Sequence, residues 1–470
     1  MLHKIFNINS IYVIFIAAEI AAIIFLCVFI PACIPITATL FAAIWALNLI
    51  AGTVACCKGA SPEISCSALL MITALPIAGA AVYLFSLLKK RGRGVLRVDG
   101  GRTLTGEESA VKALCGTGGV GFERAVYLKN GAEFFPLLFK EIEGAKRSVC
   151  LEYFIVHRGE TFFKLLSAIK SAIKNGAEVK FIIDGIGSAF KMGRRERKML
   201  KEAGVEIKIF HRLKPLFYTS LNNRDHRKIA VIDGSVAFTG GFNIGDEYAN
   251  ITSPFGYWKD TGVAIYGEAA KVFEGMFLSV WKRDCEIRIG DNGTKTCTLF
   301  YDSPPLLSGV AENLYMGAIC SAKRRIHIFT PYFCAGEKIN SALSLAAMRG
   351  VDVRIIIPHI PDKKYAFELS HACALKMMGS GIKFYEYSPG FIHAKSMVCD
   401  DRAFIGTYNF DFRSLRLNHE CGVIFEDEIC DEIERDFMET VSLSMPFTPV
   451  KRSRFRSVCV FFLKLFAPLI

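Results

Sequence analysis

The sequence predicts an α/β protein in which two homologous halves, each a mixed sheet flanked by helices, follow N-terminal transmembrane helices. Three observations support this prediction. Apolar residues are concentrated before residue 90, β-rich runs alternate with amphipathic helical runs from about residue 125, and this alternation occurs twice. The predicted domains are a membrane anchor (1–95), a first half (96–290), a second half (291–445) and a basic amphipathic tail (446–470).

The region before residue 90 contains three apolar stretches, 10–30, 36–55 and 66–88. Each is long enough to span a bilayer, which takes about 20 apolar residues. Three successive spans are typical of a retained anchor and not of a cleaved signal peptide. The basic run KKRGRGVLR follows the third stretch, which places the globular region on the cytoplasmic side of a multi-pass cell-membrane protein.

Composition narrows the class of partner. The 470-residue chain has a net charge of +12, so it suits an anionic partner, either nucleic acid or an acidic membrane surface. Its 16 cysteines contain no C-x-x-C pair, which argues against a zinc site or a redox motif. We therefore expect reduced, buried cysteines.

The globular region repeats itself. AKRSVCLEYFIV (145–156) is echoed by AKRRIHIFTPYF (322–333), and DHRKIAVIDGSVAFTGGFN (225–243) is echoed by IHAKSMVCDDRAFIGTYN (392–409). Between these stretches, each copy has a helical run and two further strand-like runs in the same order. Shared features in one order indicate two strand–helix–strand units, whose crossover helices should cover both faces of a sheet.

Each copy contains the pattern H-x-K-x-x-x-x-D. Its residues are His226, Lys228 and Asp233 in the first copy, and His393, Lys395 and Asp400 in the second. On a strand, positions i and i+2 face the same side, so each copy presents an imidazole beside an ammonium group. This pair suits a phosphodiester, because imidazole can attack phosphorus or transfer a proton and lysine can stabilise phosphoryl oxygens.

A glycine-containing turn follows each motif. Its residues are Gly240, Gly241 and Asn243 in one half, and Gly406, Thr407 and Asn409 in the other. Such a turn brings backbone N–H groups and an amide towards the same anion. A covalent route needs a nucleophile and an acid that later becomes a base, and two histidines supply both. The two lysines supply the positive charge that a metal would bring, so we predict no metal and no other cofactor.

These residues resemble those of the phospholipase D superfamily and, within it, the bacterial cardiolipin synthases. The resemblance rests on the doubled motif and on LEYFIV with Glu152. It also includes YWKDTGVAIYG with Trp258 and Asp260, and FDFRSLRLNHE with Arg413, Ser414 and Glu420. It extends to the N-terminal apolar stretch and the tail, and so covers nearly the whole chain. Thr407 stands where the family usually has serine, and three spans are found in only some members.

The resemblance implies that two phosphatidylglycerol molecules are joined into cardiolipin with release of glycerol, through a phosphatidyl-histidine intermediate. It implies His226 as nucleophile and His393 as general acid and then base, although the converse assignment stays open. Lys228, Lys395, Asn243 and Asn409 would hold the phosphoryl group. Asp233 and Asp400 would orient the site, and Glu420 would be the partner of a histidine. Gly241, Thr407 and Arg413 complete the predicted substrate-binding set.

Two other functions remain open from the motif chemistry. One is a membrane-anchored phosphodiesterase that uses water on phospholipid or nucleic acid, and the other is an inactive lipid-binding protein. The sequence lacks the basic stretches interleaved with aromatic residues that are typical of nucleic-acid binding. We therefore expect phosphatidylglycerol and cardiolipin in an anionic membrane as partners, and no nucleic acid. The tail (451–470) joins a basic cluster to an apolar run and predicts an interfacial anchor, with burial against the domain as the alternative.

Overall fold

The computed structural model describes residues 34–58, 65, 68–69, 72–73, 75–87, 96–100, 111, 117–189, 191–211, 223–282, 285–290, 293, 295–303, 309–449 and 453–466. These residues fall into two units. One contains the helices α1 (Ile34–Lys58) and α2 (Ala78–Leu87). The other begins before Leu96 and continues to Val460, and it holds both copies of the repeat.

The predicted membrane spans are only partly described. Residues 10–30 lie outside the described residues, and 66–88 lie partly outside them. Residues 36–55 are helical and lie inside α1. Among the residues that the structure describes, no helix is long and apolar enough to cross a bilayer. The three spans therefore stay predictions.

The first half of the larger unit alternates strands and helices. Its elements are β1 (Leu96–Gly100), β2 (Gly119–Phe122), β3 (Arg124–Leu128), α3 (Gly131–Glu143), β4 (Ser148–Tyr153), α4 (Glu160–Lys174), β5 (Glu178–Asp184), α5 (Arg194–Glu202), β6 (Glu206–Phe210), β7 (Lys228–Ile232), β8 (Val236–Gly240), β9 (Tyr257–Lys259), β10 (Gly262–Tyr266), α6 (Glu268–Lys282) and β11 (Cys285–Ile289).

The second half repeats this order. Its elements are β12 (Lys295–Asp302), α7 (Val310–Ser321), β13 (Arg325–Phe329), α8 (Glu337–Met348), β14 (Asp352–Pro358), α9 (Lys364–Met377), β15 (Lys383–Tyr387), β16 (Gly390–Ile392), β17 (Ser396–Cys399), β18 (Arg402–Gly406), α10 (Phe412–Arg416), β19 (Glu420–Phe425), α11 (Ile429–Ser442) and β20 (Ser444–Pro446). The helix α12 (Arg454–Phe466) lies in the predicted tail.

Two mixed sheets form the core of the larger unit. One has the order β3-β10-β8-β7-β4-β5-β6 and the other β2-β12-β19-β18-β17-β13-β14-β15-β20. The six strands β10-β8-β7-β4-β5-β6 match β19-β18-β17-β13-β14-β15 one for one, which confirms the α/β repeat. The burial pattern fits this layering, because β4 is almost wholly buried on both faces and α4 buries one apolar stripe, including Phe162, Leu165 and Ile169.

The sheets place both motifs at the same kind of edge. In the first sheet β4 runs parallel to β5, and its last residue, Tyr153, pairs with Lys228 at the start of β7. In the second sheet β13 runs parallel to β14, and Phe329 pairs with Ser396 at the start of β17. Both histidines therefore lie at the carboxyl ends of parallel strands, where open α/β sheets bind their ligands.

Candidate active site

Each histidine is held by a carboxylate from the opposite half. His226 donates from Nδ1 to Glu420, with distances of 2.9 Å to Oε1 and 3.0 Å to Oε2. His393 donates from Nδ1 to Asp260 Oδ2 at 2.6 Å. Both carboxylate residues are 0% exposed. A carboxylate on Nδ1 fixes the tautomer that leaves the Nε2 lone pair available.

Backbone hydrogen bonds between the halves fix these crossed pairs. The N–H of His226 donates to the carbonyl of His419 at 3.0 Å, one residue before Glu420. The N–H of His393 donates to the carbonyl of Lys259 at 2.7 Å, one residue before Asp260. The same arrangement therefore occurs twice, and each half supplies the carboxylate that binds the histidine of the other half.

The glycine turn makes room for one carboxylate and binds the other. A Cβ built on Gly241 would lie 1.8 Å from Asp260 Oδ1, so only glycine leaves space for this carboxylate. Thr407 occupies the equivalent position and donates from Oγ1 to Glu420 Oε2 at 2.5 Å. Both residues thus contact the histidine-binding carboxylates, whereas the sequence predicted contact with substrate.

Both lysines of the repeat lie beside their histidines. Lys228 donates from Nζ to the carbonyl of His226 at 2.6 Å. Lys395 donates to the carbonyl of His393, and its Nζ lies 3.0 Å from His393 Nδ1. Both lysines are 2% exposed. The structure thus brings two ammonium groups and two imidazoles together, as the spacing predicted.

The two asparagines brace the loops around this site. Asn243 accepts from the N–H of Ile155 at 3.0 Å and donates to Tyr248 Oη at 3.0 Å. Asn409 donates from Nδ2 to Asp411 Oδ2 at 2.9 Å. Arg413 lies on α10, which Asp411 caps by accepting from the N–H of Ser414.

The motif aspartates lie elsewhere. Asp233 follows β7, about 16 Å along the strand from Lys228, and its carboxylate accepts from the N–H groups of Lys146, Arg147 and Ser148. Asp400 accepts in the same way from residues 323–325. Both have φ of 52°. The structure therefore does not bring them to the histidines: they hold the turn at the far end of the motif strand.

Comparison with known families shows to which protein family the chain belongs. Residues 138–281 and 315–441 match the family described as "Cardiolipin synthase, PLD-like domain". The chain belongs to this family of phospholipase D-like enzymes. The two matched stretches correspond to the two halves, so the family pattern and the structural repeat coincide.

Several curated relatives of this PLD-like chain are similar over the same region. A cardiolipin synthase from Geobacillus kaustophilus is 38% identical over 333 residues, which is 66% of this chain and 65% of that protein. One from Geobacillus sp. is 37% identical over 340 residues, covering 68% and 66%. An uncharacterized protein from Streptococcus mutans is 37% identical over 339 residues, covering 69% and 73%.

A solved structure shares the fold of the PLD-like region. The phosphatidylserine synthase of Haemophilus influenzae superposes with a TM-score of 0.58 at 14% identity. The superposition covers 77% of this chain and 100% of that one. At this identity the likeness establishes the fold alone.

Burial and charge tune the PLD-like site. Burial and the charges of Lys228 and Lys395 lower the pKa of both histidines well below the usual 6.5, so both imidazoles are neutral at pH 7 without a bound anion. Burial also lowers the pKa of Lys228 to about 8 and of Lys395 to about 7. Burial raises the pKa of Asp260 and Glu420 to about 7 in each case. A bound phosphodiester anion would raise the pKa values of the lysines and histidines.

No role was assigned to Asp260 from the sequence, although the repeat contains a pattern that indicates one. DTGVAI, which begins at Asp260, matches ECGVIF, which begins at Glu420, and each places a carboxylate two residues before a glycine. Those glycines pair with Gly240 and Gly406 at the end of each motif hairpin. The predicted role of Glu420 as the partner of a histidine agrees with its position. Asp260 is its repeat equivalent.

We expect Asp233→Ala to weaken the fold and spare the chemistry. Alanine removes three backbone hydrogen bonds and tolerates positive φ less well than aspartate, so unfolding should become easier by about 1–3 kcal/mol. The turnover number should stay within about threefold of wild type. Denaturant unfolding and a lipid assay check the two parts, with Asp400→Ala as the matched second copy. If Asp233→Ala lost turnover but kept wild-type stability, Asp233 would have a catalytic role after all.

Proposed function

We propose that this chain is a cardiolipin synthase that transfers a phosphatidyl group between two phosphatidylglycerol molecules. The observation that carries the proposal is the pair of crossed histidine–carboxylate dyads with two buried lysines beside them. Family membership and relatives named cardiolipin synthase support the choice of reaction. The dyads provide a nucleophile and an acid–base group, and the lysines provide charge for the phosphoryl oxygens.

In the first step His226 Nε2 attacks the phosphorus of one phosphatidylglycerol. The bond from phosphorus to the glycerol oxygen breaks. His393, which takes up a proton at Nε2 once the bound phosphodiester anion raises its pKa, gives this proton to the departing glycerol. Glu420 stabilises the positive charge that develops on His226, and Lys228 and Lys395 stabilise the charge on the phosphoryl oxygens. The products are free glycerol and phosphatidyl-His226.

In the second step the roles reverse. His393, now neutral, takes the proton from a primary hydroxyl of a second phosphatidylglycerol, and that oxygen attacks the phosphatidyl-histidine. The bond between phosphorus and His226 Nε2 breaks, cardiolipin forms, and both histidines return to their starting state. Because the overall reaction exchanges one phosphodiester for another, it is reversible.

The surroundings of the histidines support this division of roles. The His226 side chain is 13% exposed and contacts the ring of Phe154, with 5.0 Å between ring centroids. The His393 side chain is 8% exposed and is surrounded by the rings of Tyr248, Trp258 and Phe391 at 5.2–6.0 Å. The more open imidazole suits the covalent nucleophile, and the more enclosed one suits proton transfer to an alcohol.

The proposed setting is the cell membrane, with the active site on the cytoplasmic side. Phosphatidylglycerol and cardiolipin are anionic membrane lipids, and the net charge of +12 suits such a surface. The apolar stretches 10–30, 36–55 and 66–88 would anchor the chain as a multi-pass protein, and α12 with the basic residues before it would lie at the interface.

The reaction can be tested with purified protein in micelles that contain phosphatidylglycerol as the sole phospholipid. We expect cardiolipin and glycerol in equal amounts, because each transfer releases one glycerol. Mass spectrometry of the lipids and an enzymatic glycerol assay measure both. Phosphatidic acid as the main product would contradict the proposal and identify a phosphodiesterase that uses water.

The rate should depend on pH in a bell shape. On the acid side, protonation of His226 removes the nucleophile, and because burial lowers the pKa of this imidazole, the acid limb lies well below pH 6.5. Loss of the lysine protons, with pKa values of about 7 and 8, should lower kcat/KM above about pH 8. The alkaline limb of kcat should lie at higher pH, because bound phosphate holds the lysines protonated. An alkaline limb of kcat/KM above pH 9.5 would exclude this role for the lysines.

A further inference from the structure

One polar cluster beside His393 has no part in the transfer mechanism. Tyr332 donates from Oη to Asp362 Oδ2 at 2.5 Å, and Lys363 donates from Nζ to Tyr332 Oη at 2.7 Å and to Asp362 Oδ2 at 3.1 Å. Asp362 and Lys363 follow the carboxyl end of β14, and Tyr332 follows that of β13. The cluster therefore lies at the same sheet edge as the histidines.

Ring contacts connect this cluster to His393. The Tyr332 ring lies 6.4 Å from that of Phe391, which lies 6.0 Å from the His393 ring. Burial and Lys395 lower the pKa of His393, and the Asp362 carboxylate acts on it in the opposite direction. Tyr248, whose ring is 5.5 Å from His393, interacts electrostatically with both Tyr332 and Asp362.

The carboxylate of Asp362 retains a free acceptor. Both of its hydrogen bonds use Oδ2, and within the described part of the chain no donor reaches Oδ1. The side chain is 15% exposed. A neighbouring pair of alcohol hydroxyls can donate to such an oxygen, and a charged acceptor makes these bonds stronger than neutral ones.

We propose that Asp362, oriented by Tyr332 and Lys363, binds the diol of the glycerol headgroup whose oxygen exchanges its proton with His393. This inference rests on the proposed function and deepens it by assigning headgroup selectivity to one cluster. The leaving and the attacking glycerol both meet His393, so one site serves both steps. The leaving glycerol offers Asp362 its two free hydroxyls, and the attacking glycerol offers the hydroxyl next to its reacting oxygen. An alcohol without a diol would leave the carboxylate oxygen without its hydrogen bonds and would be disfavoured.

A competition assay tests this inference. Phosphatidylglycerol and phosphatidylpropanol are mixed in equal amounts in micelles, and the released glycerol and propanol are measured. Phosphatidylglycerol can act as acceptor for both donors, so the ratio of the two alcohols reports the donor preference. Wild type should prefer the diol, and Asp362→Asn should lower the ratio by about 10–100-fold. Asp362→Asn also removes a negative charge near His393, but this changes the rate with both donor lipids equally. It therefore cancels in the ratio of glycerol to propanol.

Two further variants make the result specific. Tyr332→Phe removes the hydroxyl that orients Asp362 and should lower the ratio less than Asp362→Asn. Glu337→Gln changes an exposed carboxylate, paired with Lys376 in the same half, and should leave the ratio as in wild type. An unchanged ratio in Asp362→Asn, or a wild type without preference, would overturn the inference. A wild type that prefers the diol but makes phosphatidic acid would support diol binding and contradict the synthase activity.

Discussion

Replacing His226 with alanine should stop phosphatidyl transfer, with a fall in rate of about 10⁴–10⁶-fold. The covalent bond between His226 and phosphorus cannot form, and neither neighbour of this histidine can replace it. Glu420 binds the Nδ1 side of the imidazole, and Lys228 donates to the carbonyl of residue 226. Cardiolipin formation in phosphatidylglycerol micelles measures this loss.

His393→Ala should behave differently when the leaving group changes. Glycerol is a poor leaving group and needs a proton, so cardiolipin formation should fall to a similar extent as with His226→Ala. A phosphatidyl ester of p-nitrophenol needs no acid, because nitrophenolate leaves unprotonated. His393→Ala should therefore still release a burst of nitrophenol and hold phosphatidyl-His226, which mass spectrometry can detect.

The comparison of the two variants assigns the roles. If His393→Ala gave no burst and His226→Ala gave one, the nucleophile would be His393. His157→Ala is a suitable control, because this half-buried histidine of the first half lies near Glu247 and outside the dyads. It should keep wild-type turnover with both lipids.

The repeat made much of this site predictable. A duplicated motif on a strand predicts two imidazoles and two lysines facing a shared space. The structure brings these four groups together, although both histidines and Lys395 lie just before the strands β7 and β17 and not within them. Glu420 was also correctly expected beside a histidine. Strand periodicity, which acts over only a few residues, predicted the pairing of histidine with lysine in each copy. The expectation for Glu420 came from the family resemblance.

The remaining features depend on contacts between distant residues. Asp260 reaches His393 because the β9 and β16 strands pair, and no local pattern encodes a pairing between residues 257–259 and 390–392. Asp233 belongs to the same sequence motif as His226, yet the extended strand between them separates the two. Its carboxylate instead accepts backbone N–H groups at the start of β4. Proximity in a motif therefore did not mean proximity in the site.

Exchanging either dyad carboxylate for its amide should lower cardiolipin formation by about 10²–10⁴-fold. The amide nitrogen of Glu420→Gln can donate to His226 Nδ1, which moves the ring proton to Nε2 and removes the lone pair that attacks phosphorus. The same change at His393, through Asp260→Asn, removes the lone pair that takes the proton from the acceptor alcohol. Geometry is otherwise retained, because both amides are close in size to the acids.

The phosphatidyl ester of p-nitrophenol distinguishes loss of the nucleophile in Glu420→Gln from loss of the base in Asp260→Asn. Glu420→Gln should give no nitrophenol burst, because the nucleophile itself is blocked. Asp260→Asn should give a burst and then turn over slowly, because only the second step needs His393 as base. Glu434→Gln is the matched control: Glu434 accepts from His327 Nδ1 at 2.9–3.0 Å in a partly buried pair outside the dyads, so this variant should keep both the burst and turnover. Equal bursts in the two dyad variants would show that the crossed carboxylates do not set the tautomers of their histidines.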